Sequence, residues 1–158
     1  MARNKTLVIG LGNTILADDG VGIYAARAIA QECASMPGVD IVEASIGGIG
    51  LLDLIMGYDR VILVDAIATK GEAPGKIYRL SLEDLGNPAA FPSGPHFLDV
   101  RSAAELGKRL GYPMPRTFHI YAVEIKDNTT FSETLTPDVE KAIPALVKQV
   151  IEHLREDE

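Results

Sequence analysis

The stretch from Thr6 to Gly20, "TLVIGLGNTILADDG", decides the fold, because it leads from a buried strand through a glycine turn into a helix. Its first half is a short, continuous apolar run, which is typical of a strand covered on both faces of a parallel sheet. Its second half combines a Gly-x-Gly turn, of the kind that often cradles a phosphate, with Asp18 and Asp19, which would repel one. This turn must therefore hold something else.

The apolar periodicity alternates between strand and helix along the rest of the chain. Val21, Ala25, Ala28 and Ile29 have the spacing of one helix face, so a helix should follow the acidic residues. The patterns predict strands at Thr6–Gly12, Val39–Ser45, Arg60–Asp65, Gly75–Leu80 (at an edge) and Thr117–Glu124, and helices at Leu51–Met56 and Leu98–Leu110, with Gly111 as a helix stop. The expected fold is an α/β three-layer sandwich, a mostly parallel twisted sheet of about five strands with helices on both faces.

A closing helix is predicted near the end of the sequence. Thr136 is suited to the N-cap and Pro137 to the first helical position. Pro144 lies within the apolar stripe of this helix, so we expect it to kink the helix or to end a short first segment.

Length, charge and cysteine content limit the class of protein. A chain of 158 residues fits a single domain over residues 1–158. With 22 acidic and 15 basic residues the net charge is −7, which argues against a nucleic-acid partner. No apolar stretch approaches the roughly 18 residues of a membrane span. The one cysteine, Cys33, agrees with a reducing compartment, and a cytoplasmic location is expected.

The acidic residues have two competing interpretations. A dinucleotide site is disfavoured, because the position of the third fingerprint glycine is Ile15. Either Asp18 or Asp19 could cap the helix that begins at Gly20, but one aspartate is enough for that. Gly20 and Gly22 also weaken the helix start, which is reasonable if another backbone or a substrate must come close.

A metal site is the functional interpretation. In a doubly wound sheet the first and third strands are neighbours, which would bring Asp65 beside the loop that contains Asp19. Two close carboxylates bind a proton or a cation, and a histidine would complete an open site for Zn²⁺, Ni²⁺ or a similar ion.

Three histidines could be the third ligand. His153 lies in the charged segment "EHLRED" and is expected to be solvated. His119 lies inside a strand, where an imidazole is usually satisfied within the core or at the surface. His96 follows the Pro- and Gly-rich segment Asn87–Pro95, and a ligand on such a loop can reach over a site.

Several motifs, in order from Thr6 to Leu154, resemble the maturation endopeptidases of [NiFe] hydrogenases. The motifs are "VIGLGNTILADDGVG" (8–22), "GGIGLLDLI" (47–55), "VILVDAI" (61–67), "SGPHFLD" (93–99) and "LTPDVEKAI" (135–143). The resemblance implies a cytoplasmic, aspartic-type endopeptidase that removes the C-terminal extension of a hydrogenase large-subunit precursor after nickel insertion.

The resemblance also implies the site. Asp19, Asp65 and His96 match the family's catalytic, metal-contacting positions, although many members carry glutamate where this chain has Asp19. No cofactor is permanently bound, since the nickel arrives with the large subunit. Cys33 is a poor nucleophile candidate, because it lies late in a helix that runs away from the carboxyl ends of the strands.

Two alternatives remain open. A nickel-delivery or scaffolding protein could use the same three ligands without cleaving anything. "GLGN" also opens the peptidyl-tRNA hydrolases, but Thr14 and Ile15 replace the Pro-Gly that follows there, and the acidic charge argues against tRNA. Partner choice is expected to reside in the loops Gly86–Pro95 and Lys126–Leu135.

Overall fold

Five strands form one sheet in the computed structural model, which describes residues 4–45, 49–69, 71–84 and 95–156, with the backbone alone for residue 49 and residues 95–99. The strands are β1 (Thr6–Leu11), β2 (Val39–Ala44), β3 (Arg60–Ile67), β4 (Ile77–Leu80) and β5 (Thr117–Glu124). Their order is β2-β1-β3-β5-β4, and all pairs are parallel except β4 with β5. The mostly parallel five-stranded sheet is therefore confirmed, and β4 lies at an edge, as predicted, where it pairs antiparallel to β5.

Within the described ranges four α-helices cover the two faces of the sheet: α1 (Val21–Cys33), α2 (Ile49–Ile55), α3 (Pro95–Arg109) and α4 (Pro137–Glu156). Helices α1 and α4 pack on one face, where side chains such as Val8 and Ile62 point. Helices α2 and α3 pack on the other, against side chains such as Ile9 and Leu63. The alternation along each strand thus buries both faces, as the continuous apolar runs predicted. A three-layer α/β sandwich results.

Strands β1 and β3 are direct neighbours, with Gly10 opposite Val64. The chain leaves β1 through α1 toward β2 on one side, whereas it leaves β3 toward β4 on the other. Strands with opposite exits leave a crevice at their carboxyl ends, which is where ligands bind in open α/β sheets. We call this end of the sheet the carboxyl edge and the opposite end the amino edge.

Glycines let α1 approach the strands closely. A Cβ atom at Gly22 would overlap the backbone carbonyl oxygens of Leu11 and Val64, and one at Gly10 would overlap the carbonyl oxygen of Gly22. The glycines that weaken the start of the helix therefore serve a backbone contact between α1, β1 and β3.

The end of α3 follows the local sequence signal. Gly111 has a φ of 76°, and the N–H groups of Gly111 and Tyr112 donate to the carbonyls of Lys108 and Gly107 at 3.1 and 3.0 Å. This pattern is a Schellman motif, in which a glycine takes the left-handed conformation after the last helical turn. The predicted stop is confirmed.

Helix α4 continues through Pro144 as a single helix of 20 residues, so the alternative in which the proline ends a short first segment is wrong. The ring lies on the exposed side of the helix, so water can satisfy the carbonyl that loses its N–H partner. Buried Val139 and Leu146 hold the helix to the sheet on either side of the proline. Among the described residues no helix is both long enough and apolar enough to cross a membrane.

Candidate active site at the carboxyl edge

Asp65 is a buried acid near the carboxyl edge of β3, with 1% of its surface exposed. It lies between Leu63 and Ile67, which belong to the α2/α3 side of the core, so the Asp65 side chain points to that face as well. Its Oδ1 accepts a hydrogen bond from the N–H of Ala66 at 2.8 Å. In open α/β sheets, ligand-binding side chains often lie at the carboxyl end of a central strand, which is the position of Asp65.

Asp19 lies in a 3₁₀ helix, Ala17–Gly20, which we call the acidic turn and which contacts β3. The backbone of Asp19 is fixed, since its N–H donates to Leu16 at 3.1 Å and its carbonyl accepts from Asn13 at 3.3 Å. Its side chain is partly exposed, and no described residue donates a hydrogen bond to its carboxylate. The carboxylate is therefore available to an external cation.

Asp18 has the opposite character, with a fully buried carboxylate. One oxygen accepts from the N–H groups of Lys126 and Asp127, both at 3.0 Å, and from the hydroxyl of Thr136 at 2.8 Å. The other oxygen accepts from the N–H of Thr136 at 2.7 Å. These bonds fasten the acidic turn to the segment between β5 and α4.

The capping interpretation of the aspartates is therefore wrong. No side chain in the described structure caps the acidic turn or α1, and Asp18 instead satisfies donors more than 100 residues further along the chain. Sequence reasoning missed this role because no local spacing reports a contact of that separation. The only indication in the sequence is that two adjacent aspartates are present where a helix cap needs one.

His96 is the second residue of α3, and its side chain lies outside the described residues. The segment after α3 is tied to the amino edge, because Pro113 accepts from the N–H of Gly57 and Arg116 donates to Asp59, both at 2.9 Å. A helix of 15 residues spans about 22 Å, so the first turn of α3 lies toward the carboxyl edge. Helix α3 also covers the face of the sheet to which the Asp65 side chain points.

The prediction that His153 is solvated is wrong, since only 4% of it is exposed. Its Nδ1 lies 2.7 Å from the hydroxyl of Tyr121 and 3.3 Å from Nη2 of Arg79, and its ring packs edge-on against His119 with centroids 4.2 Å apart. The apolar stripe of α4 carries this last turn onto the sheet, which overrides the charged composition around it. His153 also bonds through its carbonyl to Arg60, at the start of β3. Both histidines thus belong to the amino half of the sheet.

Glu124 is a third buried acid and lies at the carboxyl end of β5, with 1% of its surface exposed. Its oxygens accept from the N–H of Thr69 at 2.8 Å, from the hydroxyl of Thr69 and from the hydroxyl of Tyr78 at 2.9 Å. Burial is the main cause that raises the pKa of Tyr78; the hydrogen bond to Thr69 opposes this rise, and the Glu124 carboxylate adds to it. Glu124 thus braces the segment that follows β3.

Cys33 is the last residue of α1 and is 5% exposed. Burial is the main cause that raises the pKa of its thiol, with a smaller contribution from Glu32. A thiol that stays protonated in an apolar setting is a weak nucleophile.

Of the carboxylates at the carboxyl edge, Asp18 and Glu124 are engaged by hydrogen bonds within the protein, whereas the partly exposed Asp19 and the buried Asp65 lie on neighbouring elements and are the candidates for the site. Among the side chains that the structure describes, no group of three or more His, Cys, Asp or Glu residues could hold a metal. Two carboxylates alone bind a divalent ion weakly, which suits transient contact with an ion that has other ligands. The convergence of Asp19, Asp65 and His96 on one ion stays a prediction.

Comparison with known proteins gives consistent similarities. A family model described as hydrogenase maturation protease matches residues 23–153. The hydrogenase 2 maturation protease of Escherichia coli K12 is 32% identical over 157 residues, which cover 96% of this chain and 92% of the relative.

Solved structures agree with these matches. The hydrogenase maturating endopeptidase HybD from Escherichia coli has a TM-score of 0.80 at 29% identity, covering 96% of this chain and 93% of the other. The [NiFe] hydrogenase maturation protease HybD from Thermococcus kodakarensis has a TM-score of 0.74 at 22% identity, covering 94% and 97%. The second likeness is one of fold alone.

Proposed function

This chain belongs to the hydrogenase maturation protease family, and from that premise we propose that it removes the C-terminal extension of a [NiFe]-hydrogenase large-subunit precursor after nickel has been inserted. The family consists of endopeptidases, so the chain is a hydrolase of peptide bonds. The nickel is part of the substrate in this proposal and not a resident cofactor of the enzyme.

The contrast between the two adjacent aspartates is the observation that carries the proposal. Asp18 is consumed by four hydrogen bonds within the protein, whereas the carboxylate of Asp19 has no described donor and lies in a turn against β3. Asp65 brings a second carboxylate to the end of that strand. These carboxylate oxygens lie at the carboxyl edge, where the chain leaves β1 and β3 in opposite directions. They are suited to bind a cation that a partner protein carries.

In the proposed reaction Asp19, Asp65 and His96 contact the nickel of the precursor and thereby fix the adjacent peptide bond. The metal polarises the scissile carbonyl or activates a water, which attacks the carbonyl carbon. The C–N bond then breaks, the water oxygen remains on the new carboxyl group, and its proton passes to the leaving amine. Nickel is the recognition element, because a precursor without it lacks the ion that these ligands hold.

The test is cleavage of purified, nickel-loaded precursor, with the released peptide identified by its mass. Asp19→Asn, Asp65→Asn and His96→Ala should each lower the rate by about a hundredfold or more, because each removes a contact that positions the reacting bond. Asp53→Asn is the matched control, since Asp53 is an exposed acid on α2. Unchanged rates in all three variants would refute the proposed ligands.

Two further measurements separate this function from nickel delivery. Nickel-free precursor should remain uncleaved, and its cleavage would refute recognition through the metal. Equilibrium dialysis with nickel alone should show weak binding, because the precursor supplies the remaining ligands. Tight binding without cleavage of the loaded precursor would instead indicate a carrier.

A further inference from the structure

Two exposed apolar residues, Ile15 and Phe131, lie on adjoining backbone segments beside the acidic turn. Ser132 forms a parallel bridge with Leu16, since its N–H donates to the carbonyl of Ile15 at 3.0 Å and its carbonyl accepts from Ala17 at 2.8 Å. Ile15 and Phe131 each precede a bridged residue, so the two residues lie on adjoining backbone segments. They are 49% and 83% exposed. We call this pair the apolar ridge.

Hydrogen bonds hold the loop that carries Phe131 in place. The carboxylate of Asp127 accepts from the N–H groups of Thr129 and Thr130 at 2.9 and 3.1 Å and from the Thr130 hydroxyl at 2.6 Å. These hydrogen bonds lower the pKa of Asp127 to about 2, and the bond from the Thr130 hydroxyl has the largest effect. The Tyr24 hydroxyl donates to the Glu133 carbonyl at 2.6 Å. Hydrogen bonds therefore order the backbone before and after Phe131. A loop that is ordered before binding loses less conformational entropy when a partner binds.

Charge and position define the occupant. The segments 13–20 and 126–134 that form the ridge contain four acids and one base, and of the acids only Asp18 is fully buried. Ile15 comes four residues before Asp19 in the same loop, so the ridge lies near the candidate site. An apolar pair with an acidic surround fits a protein surface on which an apolar patch is flanked by basic side chains.

We propose that the ridge of Ile15 and Phe131 is the docking point for the folded body of the hydrogenase large-subunit precursor. The inference rests on the proposed function, because the occupant is the same substrate that the carboxyl edge cleaves. The ridge supplies affinity away from the scissile bond, whereas Asp19 and Asp65 act on the metal. The docking patch of the precursor is expected to be apolar with lysine or arginine around it.

The test separates docking from chemistry. Phe131→Ser and Ile15→Ser should raise KM for nickel-loaded precursor about tenfold or more while kcat is unchanged, since an exposed aromatic anchor at an interface is worth at least a tenfold change in affinity. Kd for nickel-free precursor should rise by the same factor, and raising the salt concentration should raise Kd for the wild-type protein. Leu110→Ser is the matched control, because Leu110 is 54% exposed beyond the end of α3. Phe131→Leu should recover much of the affinity.

Each outcome decides one question. Unchanged KM and Kd in both ridge variants would overturn the docking proposal, as would an equal effect of Leu110→Ser. Failure of the wild-type protein to cleave loaded precursor would refute the proposed function, but the Kd comparison would still decide whether the ridge binds the large subunit. Circular dichroism melting of each variant confirms that the fold is intact.

Discussion

The carboxylate of Asp18 accepts both the backbone N–H and the hydroxyl of Thr136, the residue before α4, at 2.7 and 2.8 Å. The two residues are 118 positions apart, so this contact ties the turn after β1 to the start of the last helix. Asp19, next to it, makes no such bond to the described residues. Asp18 thus holds the acidic turn in place, and the carboxylate of Asp19 remains available to bind a ligand.

Substitution should separate these two roles. Asp18→Asn replaces an acceptor with an NH₂ group that faces donors, and should lower the free energy of unfolding by about 2–4 kcal/mol. Asp19→Asn should change it by less than about 0.5 kcal/mol, because no described residue donates to this carboxylate, while it lowers the cleavage rate by about a hundredfold or more. Urea denaturation and peptide release measure the two effects. Comparable destabilisation by both variants would contradict the division.

The packing of α1 predicts the sign of a glycine substitution. In an exposed helix Gly→Ala stabilises by about 1 kcal/mol, but a Cβ atom at Gly22 would meet the carbonyl oxygens of Leu11 and Val64. Gly22→Ala should therefore lower the free energy of unfolding by about 2 kcal/mol or more, because backbone must move. Gln31→Ala, on the exposed side of the same helix, is the control. A stabilised Gly22→Ala protein would show that α1 can retreat freely.

Cys33 should be dispensable for catalysis. Burial raises the pKa of its thiol, so the thiol stays protonated at neutral pH. Cys33→Ala should keep the wild-type cleavage rate and lose about 1 kcal/mol of stability through the small cavity. Iodoacetamide should label the native protein slowly and the urea-unfolded protein quickly. Loss of cleavage in a folded Cys33→Ala protein would make the cysteine a candidate nucleophile after all.

The loop that carries Phe131 should loosen only in strong acid. The pKa of Asp127 is lowered from 3.8 to about 2, so its bonds stabilise the loop fully above pH 4 and are lost as the pH falls through 2. Carbon-13 NMR titration of this carboxyl group measures the midpoint. Thr130→Val should raise the midpoint toward 3.8, because the Thr130 hydroxyl is the first cause of the shift. Thr134→Val is the matched control, and a wild-type midpoint near 3.8 would contradict the loop geometry.

The sequence predicted the architecture well because most of it depends on local periodicity. Strand β5 has the predicted bounds, and the doubly wound order that brings Asp65 near the acidic turn follows from a general rule of such sheets. The errors concern groups whose surroundings are distant in sequence. His153 has a charged local context, but Tyr121 and Arg79 bury it, and Pro144 is tolerated because of which side of α4 faces water. The predicted partner loop Gly86–Pro95 lies almost wholly outside the described residues, and so does the His96 side chain.

The position of β5 has a consequence for how the protein is made. This last strand along the chain lies between β3 and β4, so β4 has no neighbour in the sheet until β5 arrives. A nascent chain that stalls on the ribosome before Thr117 therefore presents the bare side of β3, and an unpaired strand edge of this kind promotes aggregation. We expect premature termination before β5 to leave insoluble fragments and not a smaller working enzyme.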